Sequence, residues 1–216
     1  MTITLDHIIP VPLRDKIQTR QSDIWNQSLS FEPGAWVKIK APSGTGKTTL
    51  THIIWQLRGD YTGKLLYDGK ETTAISAREM ALYRQTKMSV VFQDMRLFGN
   101  LTARENIELK RTMTEKPLYE AARIDEMADM LGITHILPQK ASTCSYGEQQ
   151  RVAIIRSLMQ PFEWLVMDEP FSHLDQANTT KAAALIAAEC TRRKAGFLLT
   201  DLDEDSHFEY SKMLQL

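Results

Sequence analysis

Only two cysteines occur in the chain, Cys144 and Cys190. They lie far apart with no C-x-x-C spacing, which argues against a zinc knuckle or a disulfide framework and makes a reducing compartment the expected home. No run approaches the roughly 18 apolar residues of a membrane span. The opening "MTITLDHIIPVPLRDK" lacks a basic stretch followed by an apolar one, so neither a transmembrane helix nor a secretory leader is expected. Neither sign of charge is in excess: 26 Lys and Arg against 27 Asp and Glu leave a net charge of -1 and no basic field for nucleic acid. Internal repeats and low-complexity linkers are also missing. What remains is a 216-residue chain with 43% apolar residues, enough for one domain with a sizeable core.

The apolar runs set an order of elements. Strands are expected at 3–9, 36–40, 63–69, 88–92, 164–167 and 196–200. Helices are expected after the glycine turn at 46, after the capping pairs Ser76/Glu79 and Thr102/Glu105, over 117–131 between Pro117 and Gly132, and over 147–159 and 176–193. Strands alternating with helices imply an α/β fold with a parallel sheet, interrupted by a mainly helical stretch.

Two stretches carry chemistry. "APSGTGKTTL" (41–50) follows a predicted strand and opens a predicted helix, the setting of a phosphate-binding loop. Gly44 and Gly46 let the backbone curl round an anion, and the N–H groups from Ser43 to Gly46 point at phosphate oxygens. In this motif Lys47 reaches the β and γ phosphates, Thr48 holds Mg²⁺ and Thr49 touches the α phosphate. The first glycine of G-x-x-x-x-G-K-[ST] is replaced by Ala41, which begins the loop and does not form its tightest curve. The second stretch, "WLVMDEPFSHLD" (164–175), brings Asp168 and Glu169 to the end of a buried strand about 120 residues after Lys47. A charged carboxylate there is costly unless a cation or donors meet it. Mg²⁺ supplies that charge at Asp168, and Glu169 is placed to polarise an attacking water as general base. Together these predict a nucleoside triphosphatase.

Between them lies "CSYGEQQRVAIIRSLMQP" (144–161), in which Ser145 and Glu148 form a helix-capping pattern. This segment resembles the signature of ATP-binding cassette (ABC) ATPases, with Cys144 and Tyr146 where the family has leucine and glycine. The resemblance implies a P-loop NTPase core of RecA type, with an antiparallel β portion and an inserted α-helical subdomain. The chain would form one cassette, 1–216, with a core lobe of 1–93 and 160–216 and a helical subdomain of about 94–159. It implies ATP and Mg²⁺ as ligands, and Ser145, Gly147 and Glu148 as a segment that closes on the γ phosphate held by a second protomer. Gln93 in "VVFQDMRLF" matches the loop that senses Mg²⁺ and the attacking water, and "SHLD" (172–175) matches the loop that crosses between protomers. The stretch 77–109 is most similar to the lipoprotein-release, macrolide-export and cell-division group. Partners implied are an integral-membrane permease-type subunit and a second copy or a related ATPase, on the cytoplasmic face of the membrane, with no nucleic acid. Met95, Leu97 and Phe98 are the expected exposed contacts for that membrane subunit.

Two departures stand out. "GFLLT" runs into Asp201, 32 residues beyond Glu169, where the family places a histidine that contacts the γ phosphate. An ionised Asp cannot donate that hydrogen bond. Like charges roughly 4 Å apart repel by about 4 kcal/mol at an effective dielectric of 20, so hydrolysis is expected to be slow, or the chain to act as a nucleotide-gated switch. The family also stacks adenine on an aromatic residue, and "KIQTRQS" (16–22) has none. Arg20 offers a guanidinium plane instead, while Trp25 and Trp36 are assigned to the core.

Overall fold

The computed structural model describes residues 1–18, 21–202 and 206–216. In chain order, strand β1 (Ile3–Pro10) and the short helix α1 (Arg14–Gln18) precede β2 (Ser28–Phe31), β3 (Trp36–Lys40) and helix α2 (Lys47–Ile54). Then come β4 (Tyr61–Tyr67), the two-residue β5 (Lys70–Glu71), α3 (Ala77–Thr86) and β6 (Met88–Val91). Three helices follow, α4 (Ala103–Arg111), α5 (Ala122–Met130) and α6 (Tyr146–Leu158). The chain closes with β7 (Trp164–Asp168), α7 (Gln176–Arg193), β8 (Gly196–Asp201) and β9 (Lys212–Gln215).

The strands form two sheets. One is antiparallel, in the order β2-β1-β4-β5, and the other is wholly parallel, in the order β6-β7-β8-β3-β9. Every residue of β7 is buried, as a central parallel strand covered on both faces requires. Its side chains alternate between two cores. Leu165 and Met167 join Phe197, Leu199, Ile107, Ile155 and Ile186 on the side of α4, α6 and α7. Trp164 and Val166 join Leu198, Ile39, Leu50 and the antiparallel sheet's Ile3 and Leu5 on the other. This period of two carries β7 straight to Asp168 with its last side chains fixed on both faces.

The capping pairs act as the sequence predicts: Ser76 accepts from Glu79, and Thr102/Glu105 and Ser145/Glu148 are reciprocal boxes. Two short edge strands, β2 and β9, escape the sequence pattern because each buries one side chain only. The helix expected over 117–131 starts at Ala122 instead. Its first turn is lost because the Arg111 guanidinium holds the Tyr119 carbonyl and the Tyr119 phenol is drawn to Glu189 of α7.

Glu189 is 2% exposed and gathers the Tyr119 hydroxyl, Arg123 at 2.9 Å, Arg193 at 2.9 Å and Arg192 at 3.2 Å. Burial alone raises its pKa, but the Tyr119 hydroxyl and the Arg123, Arg193 and Arg192 guanidiniums carry it below the usual carboxylate range. The cluster ties the 117–123 segment to α7. Glu189→Gln leaves Arg193 buried without its counter-charge and is expected to cost about 3 kcal/mol, or about 6–12 °C in Tm for a domain of this size. A depressed carboxylate stabilises the fold fully above its unfolded pKa and loses that contribution as pH falls through the folded value. Thermal melts of parent and variant should therefore converge in acid, and a gap that stays constant below about pH 4 would contradict the assignment.

Candidate functional site

The phosphate-loop segment leaves β3 at Lys40. Ala41 is fully buried, and its N–H extends the sheet by donating to the Asp201 carbonyl at 3.0 Å. Its backbone is outside the left-handed region, which explains why alanine serves where the motif has glycine. Gly44 (φ 76°) and Gly46 (φ 111°) do adopt left-handed backbone, and Gly46 opens α2 as its N-cap. A side chain at Gly46 would also meet Leu13 and Trp25. Trp25, nearly buried, donates its ring N–H to the Thr45 carbonyl and props the loop from behind. Lys47, 6% exposed, folds back over the loop, with Nζ 2.8 Å from the Ala41 carbonyl and 3.2 Å from Glu169 Oε1. The loop borders a cleft of about 290 Å³ lined by Leu13, Ser43, Gly44, Gly46, Lys47, Thr48, Thr49, Gln93 and Glu169.

The two carboxylates at the end of β7 are held differently. Asp168 is fully buried; Oδ1 accepts from the Thr200 hydroxyl at 2.6 Å, and Oδ2 has no hydrogen-bond partner among the described residues. Burial pushes its pKa up, the Glu169 charge adds to this, and the Thr200 and Thr48 hydroxyls and Lys47 oppose it. Glu169 takes a left-handed φ of 47°, a conformation costing of order 1–3 kcal/mol in a non-glycine residue. That turn swings its side chain away from Asp168's path and into the cleft. There it meets Lys47 and the Gln93 amide N–H at 3.1 Å, while Gln93 Oε1 faces the Thr48 hydroxyl at 3.4 Å. Thr48, Gln93 and Asp168 thus offer three oxygens around one corner, one of them an unpaired buried carboxylate oxygen. That donor set fits a hard divalent cation that completes its shell with water and phosphate.

Gln150, buried on α6, fixes the loop after Glu169. Its amide N–H groups donate to the Glu169 carbonyl at 3.1 Å and the Ser172 hydroxyl at 3.4 Å, and its oxygen accepts from the His173 N–H at 2.9 Å. Gly147 sits so close that a Cβ would lie 2.8 Å from the His173 carbonyl. Tyr146 exposes two-thirds of its surface and packs in a tilted pair against the His173 ring, with centroids 5.3 Å apart. The Ser145 hydroxyl and N–H both bond Glu148 at 2.8 Å, and Glu148 lies below the usual carboxylate range because of those two contacts.

Comparison with known proteins settles the family. The profile described as ABC transporter matches residues 24–172. This chain belongs to that family. It is 39% identical over 155 residues to the lipoprotein-releasing system ATP-binding protein LolD of Aquifex aeolicus, covering 71% of this chain and 69% of the relative. It is 37% identical over 69% of its length to the macrolide export ATP-binding/permease protein MacB of Campylobacter jejuni, of which it covers 24%. Among solved structures, the dimeric ABC transporter cassette MJ0796 superposes with a TM-score of 0.77 at 26% identity, over 93% of this chain and 88% of that one. The fold is accordingly the P-loop ATPase cassette, and the chain is an ATPase of the ABC class.

Within one ABC cassette the cleft gathers Ser43, Gly44, Gly46, Lys47, Thr48, Thr49, Gln93 and Glu169, with Thr45 in the loop and Asp168 directly beneath. Ser145, Gly147, Glu148 and Asp201 are not in its lining. Asp201 Oδ1 accepts instead from the next residue's N–H at 2.7 Å. Arg20 lies outside the described residues. Trp25 is core, and Trp36 packs edge-on against Phe197 and Phe208. Sequence reading missed Leu13, Thr200 and Gln150; the last two stand inside quoted motifs, while nothing local marks Leu13. One expectation is corrected. Met95 is buried in the core and not exposed, because Met95 and Arg96 both take left-handed φ values (57° and 49°) that turn the side chain inward. Leu97 is partly buried against the same core, and Phe98 is exposed.

The raised pKa of Asp168 gives a test of the cation site that needs no nucleotide. Above that pKa the folded state carries an ionised carboxylate it disfavours, so Asp168→Asn is expected to raise the Tm of nucleotide-free protein near pH 8 by about 2–6 °C, from relief of about 1–2 kcal/mol. The gain should vanish as pH falls and the parent's carboxyl protonates. A variant less stable than the parent at pH 8, measured by calorimetry in a metal chelator, would show that Asp168 is satisfied without a cation.

Proposed function

We propose that this chain is the ATP-hydrolysing subunit of a membrane ABC complex, acting as a pair of cassettes that close on two ATP molecules and reopen after hydrolysis. The observation that carries this is the division of the motif residues: the phosphate loop, Gln93 and Glu169 line one cleft, while Ser145 and Gly147 lie off it on the same chain. A second copy, bringing its own α6 N-terminus, completes the site. Among the described residues no helix is long and apolar enough to cross a membrane. The membrane part then comes from a permease-type subunit, seated on the cytoplasmic face against exposed Phe98 and the exposed Leu109 and Met113 of α4 and its end. A core lobe of 1–93 and 160–216 would carry the cleft, and a helical lobe of 94–159 would carry α6 and the docking surface. What is moved depends on the membrane subunit.

The contacts inside the cleft give a way to gate the chemistry. The Lys47 ammonium lies 3.2 Å from Glu169 Oε1, a pairing that neutralises the base. An entering triphosphate offers Lys47 a denser negative charge next to the N–H groups of residues 43–46 and draws it to the β and γ phosphates, with Thr49 at the α phosphate. Glu169 is then free to take a proton from a water whose oxygen forms the new bond to the γ phosphorus as the bond to the β-phosphate oxygen breaks. Bound at Thr48, Gln93 and Asp168, Mg²⁺ would supply the charge that neutralises the phosphate oxygens. Gln93, hydrogen-bonded to Glu169 and facing Thr48, aligns base and metal corner through one amide.

Asp201 favours a second reading, a nucleotide-gated switch that closes on ATP and hydrolyses poorly. Steady-state phosphate release by the purified chain separates the two. If hydrolysis is the function, Glu169→Gln should lower turnover about 10²–10⁴-fold while keeping ATP binding, and Lys47→Ala should lose binding. Parent turnover already at the level of Glu169→Gln, and raised at least tenfold by Asp201→His, would establish the switch.

A further inference from the structure

We propose that His173 supplies the hydrogen-bond donor that Asp201 cannot give, and that it does so on the γ phosphate of the nucleotide held by the partner copy. The proposal rests on the paired-cassette reading above. Four observations converge on this imidazole. Asp201, at the end of β8, is an acceptor only when ionised, and its Oδ1 already takes the Leu202 N–H at 2.7 Å. His173 is exposed, and neither ring nitrogen has a hydrogen-bond partner among the described residues, so an N–H is available in either protonation state. Its ring has a neighbour: Tyr146, standing where the family has glycine between Ser145 and Gly147, packs against it in a tilted pair at 5.3 Å and 36°. Its backbone is fixed twice, by the Gln150 side chain at 2.9 Å and by the close approach of Gly147 to its carbonyl.

The placement follows from these ties. In the paired-cassette reading Ser145 and Gly147 close on the partner's γ phosphate, and the imidazole packs against Tyr146 between them. An anion arriving at that helix start meets the imidazole N–H together with the backbone donors. The same Gln150 that fixes His173 also holds the Glu169 carbonyl. The donor for one nucleotide and the general base for the other therefore share one loop of five residues, 169–173. Tyr146 and His173 read in this way as a compensated pair, one departure from the family pattern positioning the replacement for another.

The test is steady-state ATP turnover of the full chain, with ATP binding measured separately by a fluorescent nucleotide. His173→Ala should lower kcat about 10- to 100-fold, somewhat below the loss typical of a deleted transition-state donor. The dissociation constant should change less than threefold, because the phosphate loop is untouched. His173→Gln, which keeps an N–H donor, should retain at least a third of the parent rate. The double variant His173→Ala/Asp201→His should recover at least tenfold over His173→Ala, since it returns an imidazole to the other side of the same phosphate. A kcat for His173→Ala within twofold of the parent, a His173→Gln as slow as the alanine variant, or no recovery in the double variant would each overturn the proposal. Glu169→Gln run alongside distinguishes the two levels: if it turns over like the parent, the hydrolytic reading fails, and if it is inactive while His173→Ala is not, only the role of His173 fails.

Discussion

Two carboxylates at the buried end of one strand are the constraint around which the other parts are arranged. Burying an ionised carboxylate costs several kcal/mol unless charge or donors meet it, and β7 brings two of them to adjacent positions. The fold answers each in its own way. Glu169 turns through a left-handed backbone to reach Lys47 and Gln93, so its charge is paired within the chain. Asp168 has the Thr200 hydroxyl on Oδ1 and the Thr48 hydroxyl nearby, while its Oδ2 has no hydrogen-bond partner among the described residues, which leaves that oxygen open to a cation. That difference between two acids one residue apart is what underlies the proposed division into a base and a metal ligand.

Much of this was legible along the chain because the relevant groups are neighbours in sequence. The phosphate loop depends on positive-φ glycines at 44 and 46 followed by a helix, and the capping boxes depend on residues three apart. These are local, and the sequence reads them. The failures have the opposite character. Residues 117–121 carry a helical pattern, yet Tyr119 gains more from Glu189 some 70 residues away than from a first helical turn. Met95 and Arg96 form consecutive left-handed residues with neither glycine nor asparagine to announce them. Leu13 reaches the cleft only because the sheet returns β1 to the flank of the phosphate loop. Thr200 was read as the end of a strand, although its hydroxyl is what Asp168 has in place of water.

Recognition of the nucleotide follows from the same lining. None of the described residues bordering the cleft carries an aromatic ring, and among them Leu13 is the one large apolar side chain. Leucine offers contact area but neither a stacking face nor a polar edge for a base. On the proposed reading the triphosphate end, with Lys47, Thr48, Thr49 and the loop N–H groups, carries most of the recognition these described residues can offer.

Helix α6 joins these regions mechanically. Its Gln150 holds the carbonyl of Glu169, the proposed general base. Six residues further on, the largely buried Arg156 donates to the carbonyls of both Met95 and Arg96, the left-handed pair two residues past Gln93. Burial lowers the pKa of this guanidinium to about 10, yet it stays charged at neutral pH, and two carbonyl dipoles are what it has in place of a carboxylate. Removing it would leave two strained residues unbraced beside the loop that carries Gln93. The helix is capped by Ser145, on the segment proposed to meet the other cassette. A shift of α6 as a rigid body, driven from either end, therefore moves the base and the glutamine together. Because both contacts arise from one helix, the proposed closing of the pair would act on Glu169 and on the segment after Gln93 through α6 together.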